Sequence, residues 1–599
     1  MNRILDKINF PSDMKSLSNE ELLKLCTEIR EQMIIRLSST GGHVGSNLGM
    51  IEATVALHYV FNSPIDKIVF DVSHQSYTHK LLTGRKEAYM NPEKYSSVSG
   101  FTNPLESEHD IFSIGHTSTS ISLACGLAKA RDLKKEKNNI IAVVGDGALS
   151  GGEALEGLNN ASVLQSNIII IINDNDMSIA ENHGGLYQNL KALRESNGQY
   201  NCNLFKALGF DYYLVRDGNN LEDLIETFKK VKDIDHPVIV HMCTVKGKGY
   251  LLAEQNKVKW HFQGAFNLGT GNSLKVVNET EETYENLTRD YLTQKMKEDK
   301  NVIAITAGTP KVLGFDEKTR QEFKEQFVDV GIAEEHAVAF ASGIAKNGGK
   351  PVFGVSSSFI QRTYDQLSQD LALNNSSAVI LVFFNGITSE SQTHLGVFDI
   401  PLISNIPNIV YLAPTCKEEY ISMLDWSLNQ TNHPVVIRVP GIIVEARNSK
   451  ILNDYDKLNK YEVVEEGNKV AILGLGKFFK LGTKVKDLLK EKANIKATLI
   501  NPRYITGIDN EVLEKIKEDH ELVITLEDGV IDGGFGEKID RFYSNSNIKV
   551  LNFGAKKEFV NNVKLEELYE KYHLREDMIV SDILDILQNK GVCENEKET

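Results

Sequence analysis

The segment "VVGDGALSGGEALEGLNNASVLQSNIIIIINDNDMSI", Val143 to Ile179, constrains the fold of this chain more than any other. It holds two apolar, β-branched runs, each ending in a tight polar turn, with a helix-like stretch between them. Continuous short apolar runs of this kind mark strands buried on both faces, and strands alternating with helices mark a parallel sheet. In such sheets ligands bind outside the carboxyl ends of the strands. Asp146 and Asn175 occupy two such ends, 29 residues apart, about the length of one βαβ unit.

The same pattern recurs along the chain. Residues 67–74, 139–147, 167–175 and 236–244 read as strands of a first doubly wound α/β domain, preceded by an amphipathic helix over 17–37. A polar stretch at 268–282 reads as a linker. Strands expected at 301–308, 350–359, 377–386, 408–414 and 433–440 form a second block, and a third begins near 468. The expected fold is therefore three doubly wound α/β domains in series, spanning 1–280, 281–460 and 461–599, with a frayed tail from about 588. A length of 599 residues requires several cores.

Composition narrows the function classes. The net charge of −16 argues against a nucleic-acid partner, and no apolar run is long enough for a membrane span. Six scattered cysteines without metal spacing, and a start lacking signal-peptide features, fit a cytoplasmic protein.

Asp, Asn and Gly favour ordinary βα turns, so a lone Gly-Asp-Gly carries little. Paired with Asn-Asp-Asn at this spacing it says more. The two side-chain oxygens suit Mg²⁺ bridging to a diphosphate, and Gly145 and Gly147 let backbone approach the phosphates. The "GLG" at 474–476 lacks a complete dinucleotide fingerprint, and "KGKG" at 246–249 lacks the rest of a phosphate-binding P-loop.

The pair resembles the thiamine diphosphate–Mg²⁺ motif. The resemblance extends through "TGGHVGSNLGM" (40–50), "VSHQSYTHK" (72–80), "IGHTSTS" (114–120), "VKGKGY" (245–250), "VGIAEEHAV" (330–338), "SSFIQRTYDQ" (357–366) and "DGGFGEKI" (532–539). Together these segments resemble the 1-deoxy-D-xylulose-5-phosphate synthase family. The resemblance implies a transketolase-like fold: a diphosphate-binding domain, a pyrimidine-binding domain and a transketolase C-terminal domain. It implies thiamine diphosphate and Mg²⁺ as cofactors, pyruvate and glyceraldehyde 3-phosphate as substrates, and a homodimer.

Residue by residue, it makes Asp146, Asn175 and the Met177 carbonyl the metal ligands. His74, Gly115, His116, Gly147, Ala148 and Phe359 join them around the cofactor. Glu334, preferred over Glu335, becomes the activating carboxylate. His43, His74, His261 and His394 become proton-handling groups, and Ser356, Arg362 and Arg438 line the substrate site. His58, His236, His433, His520 and His573 read as structural.

The acceptor region departs from the family pattern. Ser356 stands where a Tyr is usual, "FFNGITSESQTH" (383–394) lacks an expected Arg, and "IRVPG" (437–441) keeps Arg438 but loses a second Arg. A transketolase, or a carboligase using pyruvate or another 2-keto donor with a different acceptor, is the alternative these departures keep open.

Overall fold

The computed structural model describes residues 3–178, 181–275, 281–447 and 450–595, with side chains to 588. Its three sheets are distributed over two units: Met1–Glu279 with Val330–Ala333, and Thr280–Asp329 with Glu334–Thr599. The second and third sheets share the second unit. Residues 276–280, inside the expected linker, lie outside the described residues.

The first sheet is wholly parallel, in the order β1 (Lys67–Phe70), β2 (Ile140–Gly145), β3 (Ile168–Asp174), β5 (Pro237–Cys243) and β4 (Asp211–Val215). Strand β3 shows why the isoleucine run is needed. Ile169 and Ile171 face one buried cluster, Ile168, Ile170 and Ile172 face another, and all five are fully buried. A strand with helices on both faces has no polar side, so β-branched residues fill it from 168 to 172, before the polar end at Asn173 and Asp174. Truncating any one of them to Ala would cost about 2–5 kcal/mol. The helix expected over 17–37 runs Asn19–Thr40; Leu22, Leu25, Ile29 and Met33 form its buried face. A reciprocal capping box between Ser18 and Glu21 starts it.

The second sheet is also parallel, ordered β10 (Val410–Leu412), β11 (Val435–Arg438), β9 (Val379–Phe383), β8 (Lys350–Ser356), β6 (Val302–Thr306) and β7 (Phe327–Asp329). The third runs β12 (Glu462–Glu465), β14 (Thr498–Asn501), β13 (Lys469–Gly474), β15 (His520–Val530) and β16 (Lys549–Ala555). Only its edge strand β12 is antiparallel. The final helix spans Glu576–Asn595; residues 596–599 of the expected frayed tail lie outside the described residues. Among the described residues no helix is long and apolar enough to cross a membrane.

Candidate functional site

In the first unit the two strand ends meet. Gly145 at the end of β2 pairs in register with Asn173 of β3. The Asp146 carboxylate lies among the amides of both turns. It accepts from Gly147 N at 2.9 Å, Met177 N at 3.2 Å, Asn175 N at 3.3 Å and Asn182 Nδ2 at 3.0 Å. Burial, and then the nearby Asp174 charge, push its pKa above the usual carboxylate range. The Oδ1 atoms of Asn175 and Asn182 are buried without a hydrogen-bond partner. A destabilised carboxylate beside an unsatisfied amide oxygen is the chemistry of a hard-cation site, so these residues fit Mg²⁺.

Gly147 keeps the turn open. A Cβ there would lie 2.6 Å from the Ser178 side chain, and no side chain fits without moving the loop. Half-buried His116 follows buried Gly115 on the neighbouring loop, which Ser118 Oγ ties to the Ala148 carbonyl at 2.8 Å.

One cluster of three His, Cys, Asp or Glu side chains occurs among the described residues: Asp174, His241 and Cys243. Arg194 already engages Asp174 at 2.6 and 2.5 Å, and His241 Nε2 lies 2.8 Å from it. His241 and Arg194 together outweigh burial and hold the Asp174 carboxyl below its usual pKa. This network anchors the end of β3, immediately before Asn175, and has no need of a metal.

Three predicted histidines converge in the same unit. The ring centroids of His43 and His74 are 4.9 Å apart, those of His74 and His261 5.3 Å, and those of His43 and His261 5.6 Å. Fully buried Asn47 clasps two of them through their backbone, donating from Nδ2 to the carbonyls of His43 (2.7 Å) and His74 (2.8 Å). His74 follows two residues in the left-handed region, Val72 (φ 58°) and Ser73 (φ 66°). That conformation is costly for a β-branched valine and persists only where surroundings enforce it. Here Ser73 Oγ donates to Ile114 O and accepts from Thr102 N, while Asp71 accepts from the amides of Ser118 and Ser120.

Sequence reasoning missed Lys246. Its Nζ is 3.1 Å from His261 Nδ1 and donates to Ser178 O. Burial, with Lys246 beside it, drives the His261 pKa well below normal. An ammonium on Nδ1 leaves the imidazole proton on Nε2. Lys246 lies in the "KGKG" segment and Asn47 in "TGGHVGSNLGM"; both segments carry the family resemblance, but neither has a spacing that singles out these two residues.

In the second unit Glu334 begins the helix Glu334–Lys346 and is 3% exposed. Burial raises its pKa to about 7, against the opposing pull of Arg362, whose Nη1 is 3.9 Å from Glu334 Oε2. Glu335 is half-buried. Phe359 meets His394 edge-on, with centroids 5.8 Å apart. Burial lowers the His394 pKa to about 4, and its Nδ1 is 2.9 Å from Thr393 Oγ1. Ser356, Phe359 and His394 line a common cavity.

Arg438 departs from the expected role. It is 3% exposed; its Nε donates to Asp399 at 2.6 Å and its Nη1 to Asp528. A guanidinium enclosed by two buried carboxylates is an internal ion-pair partner rather than an open phosphate ligand. Of the histidines read as structural, His58 pairs with His79 at 2.9 Å, and His520 with Thr498 at 2.7 Å.

Comparison with known proteins adds the following. A family model described as 1-deoxy-D-xylulose-5-phosphate synthase matches residues 5–202 and 196–244. The transketolase pyrimidine-binding domain matches 281–444 and the transketolase C-terminal domain 459–579. The 1-deoxy-D-xylulose-5-phosphate synthase of Clostridium tetani is 40% identical over 97% of this chain and 99% of its own. That of Clostridium beijerinckii is 40% identical over 95% and 97%, and that of Caldanaerobacter subterraneus subsp. tengcongensis 38% over 97% and 99%.

Proposed function

This chain belongs to the 1-deoxy-D-xylulose-5-phosphate synthase family, and from that premise we propose that it joins pyruvate to glyceraldehyde 3-phosphate, releasing CO₂ and forming 1-deoxy-D-xylulose 5-phosphate. Thiamine diphosphate is the cofactor in this reading, with Mg²⁺. When bound, it supplies a thiazolium carbon that serves as nucleophile toward the 2-keto acid and as electron sink. The transketolase and different-acceptor readings are not favoured, since the relatives above carry the synthase name along nearly their full lengths.

The protein's own groups have the following tasks. Asp146, Asn175 Oδ1 and the Met177 carbonyl hold the metal, and the glycine turn at 147 admits the diphosphate. Glu334, with a pKa of about 7, holds or releases a proton at Oε2 near neutral pH and so serves the aminopyrimidine of the cofactor. Phe359 offers a ring face beside it. His261, neutral with its proton on Nε2, donates a hydrogen bond to a carbonyl or alkoxide oxygen. His394, held neutral by burial, accepts or passes a proton at the acceptor. His43 and His74 complete the wall around His261. We include a homodimer in the reading. On the helix Ser120–Leu133, the exposed Gly126 has open space around it, which suits close approach of a second copy.

The observation that carries the reading is Glu334, the family's activating carboxylate, buried and held near neutrality. The test is ¹³C-pyruvate with glyceraldehyde 3-phosphate, cofactor and Mg²⁺, read by mass spectrometry. A labelled five-carbon ketose phosphate is expected. CO₂ release without that product would overturn the acceptor assignment, and absence of both would overturn the reading.

A further inference from the structure

The cavity holding Ser356, Phe359 and His394 has a volume of about 740 Å³ and is built entirely within the second unit. Part of its wall comes from the turn and helix that follow the "GLG" left unassigned in the sequence. Lys477, Lys480 and Lys484 line the cavity there, and Arg575 also lines it. Three carboxylates share the wall, Glu390, Glu445 and Glu576, so cations are in excess on a chain whose net charge is −16.

The acceptor's phosphate needs cations, and the expected places do not supply them. After β9 the chain reads Phe384-Asn385-Gly386 where the family pattern has an Arg, and Arg438 is engaged by Asp399 and Asp528. Lys477 brings an ammonium to that same strand end from 92 residues away. Its Nζ donates to Asn385 O at 3.3 Å and lies 2.8 Å from Asp528. Gly386 makes room for it. A Cβ at 386 would lie 2.6 Å from Lys477 Nζ and 2.0 Å from Asp528 Oδ2, at a φ of +86°.

Two further features mark this strand end as a ligand wall. Asn385, 4% exposed, donates from Nδ2 to Val382 O and Val439 O, both at 2.8 Å, which fixes the orientation of its amide. Its Oδ1 is buried without a hydrogen-bond partner, and the residue lines the cavity. Such an acceptor calls for a donor, and a ligand hydroxyl is one. Phe384 is held in the left-handed region at φ 51° with its ring 41% exposed, an arrangement that costs free energy for a bulky residue.

We propose that this cavity is the acceptor subsite and that Lys477, Lys480 and Lys484 bind the phosphate of the acceptor aldehyde, with Asn385 Oδ1 accepting from one of its hydroxyls. The proposal rests on the synthase reading above. The resting partners of the outer lysines are exchangeable. Lys480 pairs with Glu445 at 2.9 Å and Lys484 with Glu576 at 3.6 Å, through side chains between 41% and 65% exposed. Exposed pairs of this kind hold weakly, whereas a dianionic phosphate makes stronger charge-assisted bonds.

The test uses the full-length holoenzyme and two readouts: steady-state kinetics with glyceraldehyde 3-phosphate, and calorimetric binding of glycerol 3-phosphate, a non-reacting phosphomonoester. The double variant Lys480→Gln/Lys484→Gln changes only exposed side chains. It should raise both the KM for the aldehyde phosphate and the Kd for glycerol 3-phosphate by about 10-fold, leaving kcat and the pyruvate KM within about twofold. Glu445→Gln, which releases Lys480 from its resting partner, should tighten both by about 2- to 5-fold. A purely structural role for the pair predicts no such tightening. Lys477→Gln should weaken glycerol 3-phosphate further, with the melting temperature reporting any loss of fold. Unchanged Kd and KM in the double variant would overturn the subsite while leaving the synthase reading intact. Lysine-dependent binding of glycerol 3-phosphate without any ketose product would keep the subsite and overturn the reaction.

Discussion

Replacing Glu334 by Gln should make the apoprotein more stable at alkaline pH and the holoenzyme inactive. The side chain is 3% exposed, and burial carries its pKa from 4.5 to about 7. Its folded-state pKa lies above the unfolded value, so the folded state holds the proton more tightly. Below about pH 4.5 the carboxyl is protonated in both states and costs nothing electrostatically. As the pH rises through 4.5 toward 7 the unfolded chain gains its charge freely, whereas the folded chain must bury it. The penalty is complete above about pH 7, and at 1.36 kcal/mol per unit it amounts to about 3 kcal/mol. Gln keeps the shape and removes the charge. Scanning calorimetry of the cofactor-free protein should therefore show Glu334→Gln melting above wild type at pH 8 and level with it near pH 4.5. Exchange of the cofactor's C2 proton, followed by NMR, should fall by several orders of magnitude in Glu334→Gln and in Glu334→Ala. Glu335→Ala, at a half-buried position, should leave exchange close to wild type. A melting difference that does not change with pH would refute the burial argument. Exchange lost equally at Glu335, or only there, would refute the assignment of the carboxylate.

Asp146→Ala should abolish metal-dependent retention of thiamine diphosphate, read by equilibrium dialysis with and without Mg²⁺; wild-type affinity would remove the metal site from the reading. Arg438→Ala should destabilise the second unit by about 3–5 kcal/mol, because Asp399 and Asp528 lose their shared guanidinium while buried; a folded variant with only a raised acceptor KM would return Arg438 to the phosphate site. Lys246→Met removes the largest electrostatic cause, after burial, that depresses His261, so the acid limb of kcat/KM should move to higher pH; an unmoved limb would mean that burial and the neighbouring His43 and His74 set that histidine without the lysine. Light scattering at micromolar protein should give twice the 66.9 kDa of the chain; a monomer would contradict the dimer.

What was legible in the sequence is what is local in the chain. The five isoleucines of β3 signal a doubly covered strand because their neighbours in sequence share one strand, and Leu22, Leu25, Ile29 and Met33 recur at the spacing of one helix face. Asp146 and Asn175 were readable for the same reason, since one βαβ unit fixes where its two ends go. The short strand Asp211–Val215 and the edge strands Phe327–Asp329 and Glu462–Glu465 escaped, because half-exposed edges lack the continuous apolar run that marks a central strand. The charges escaped for a deeper reason. Nothing near Arg438 in sequence says that Asp399 and Asp528, 39 and 90 residues away, will enclose its guanidinium. Nothing near Asn385 says that an ammonium will arrive from residue 477. A motif read along the chain records that an arginine is gone. Only the fold records whether another cation stands in its place, and at this strand end Gly386 is the residue that lets one in. A Gly386→Ala variant therefore tests that account: its Cβ crowds both the Lys477 ammonium and the Asp528 carboxylate while removing neither charge, and it should weaken phosphomonoester binding as Lys477→Gln does.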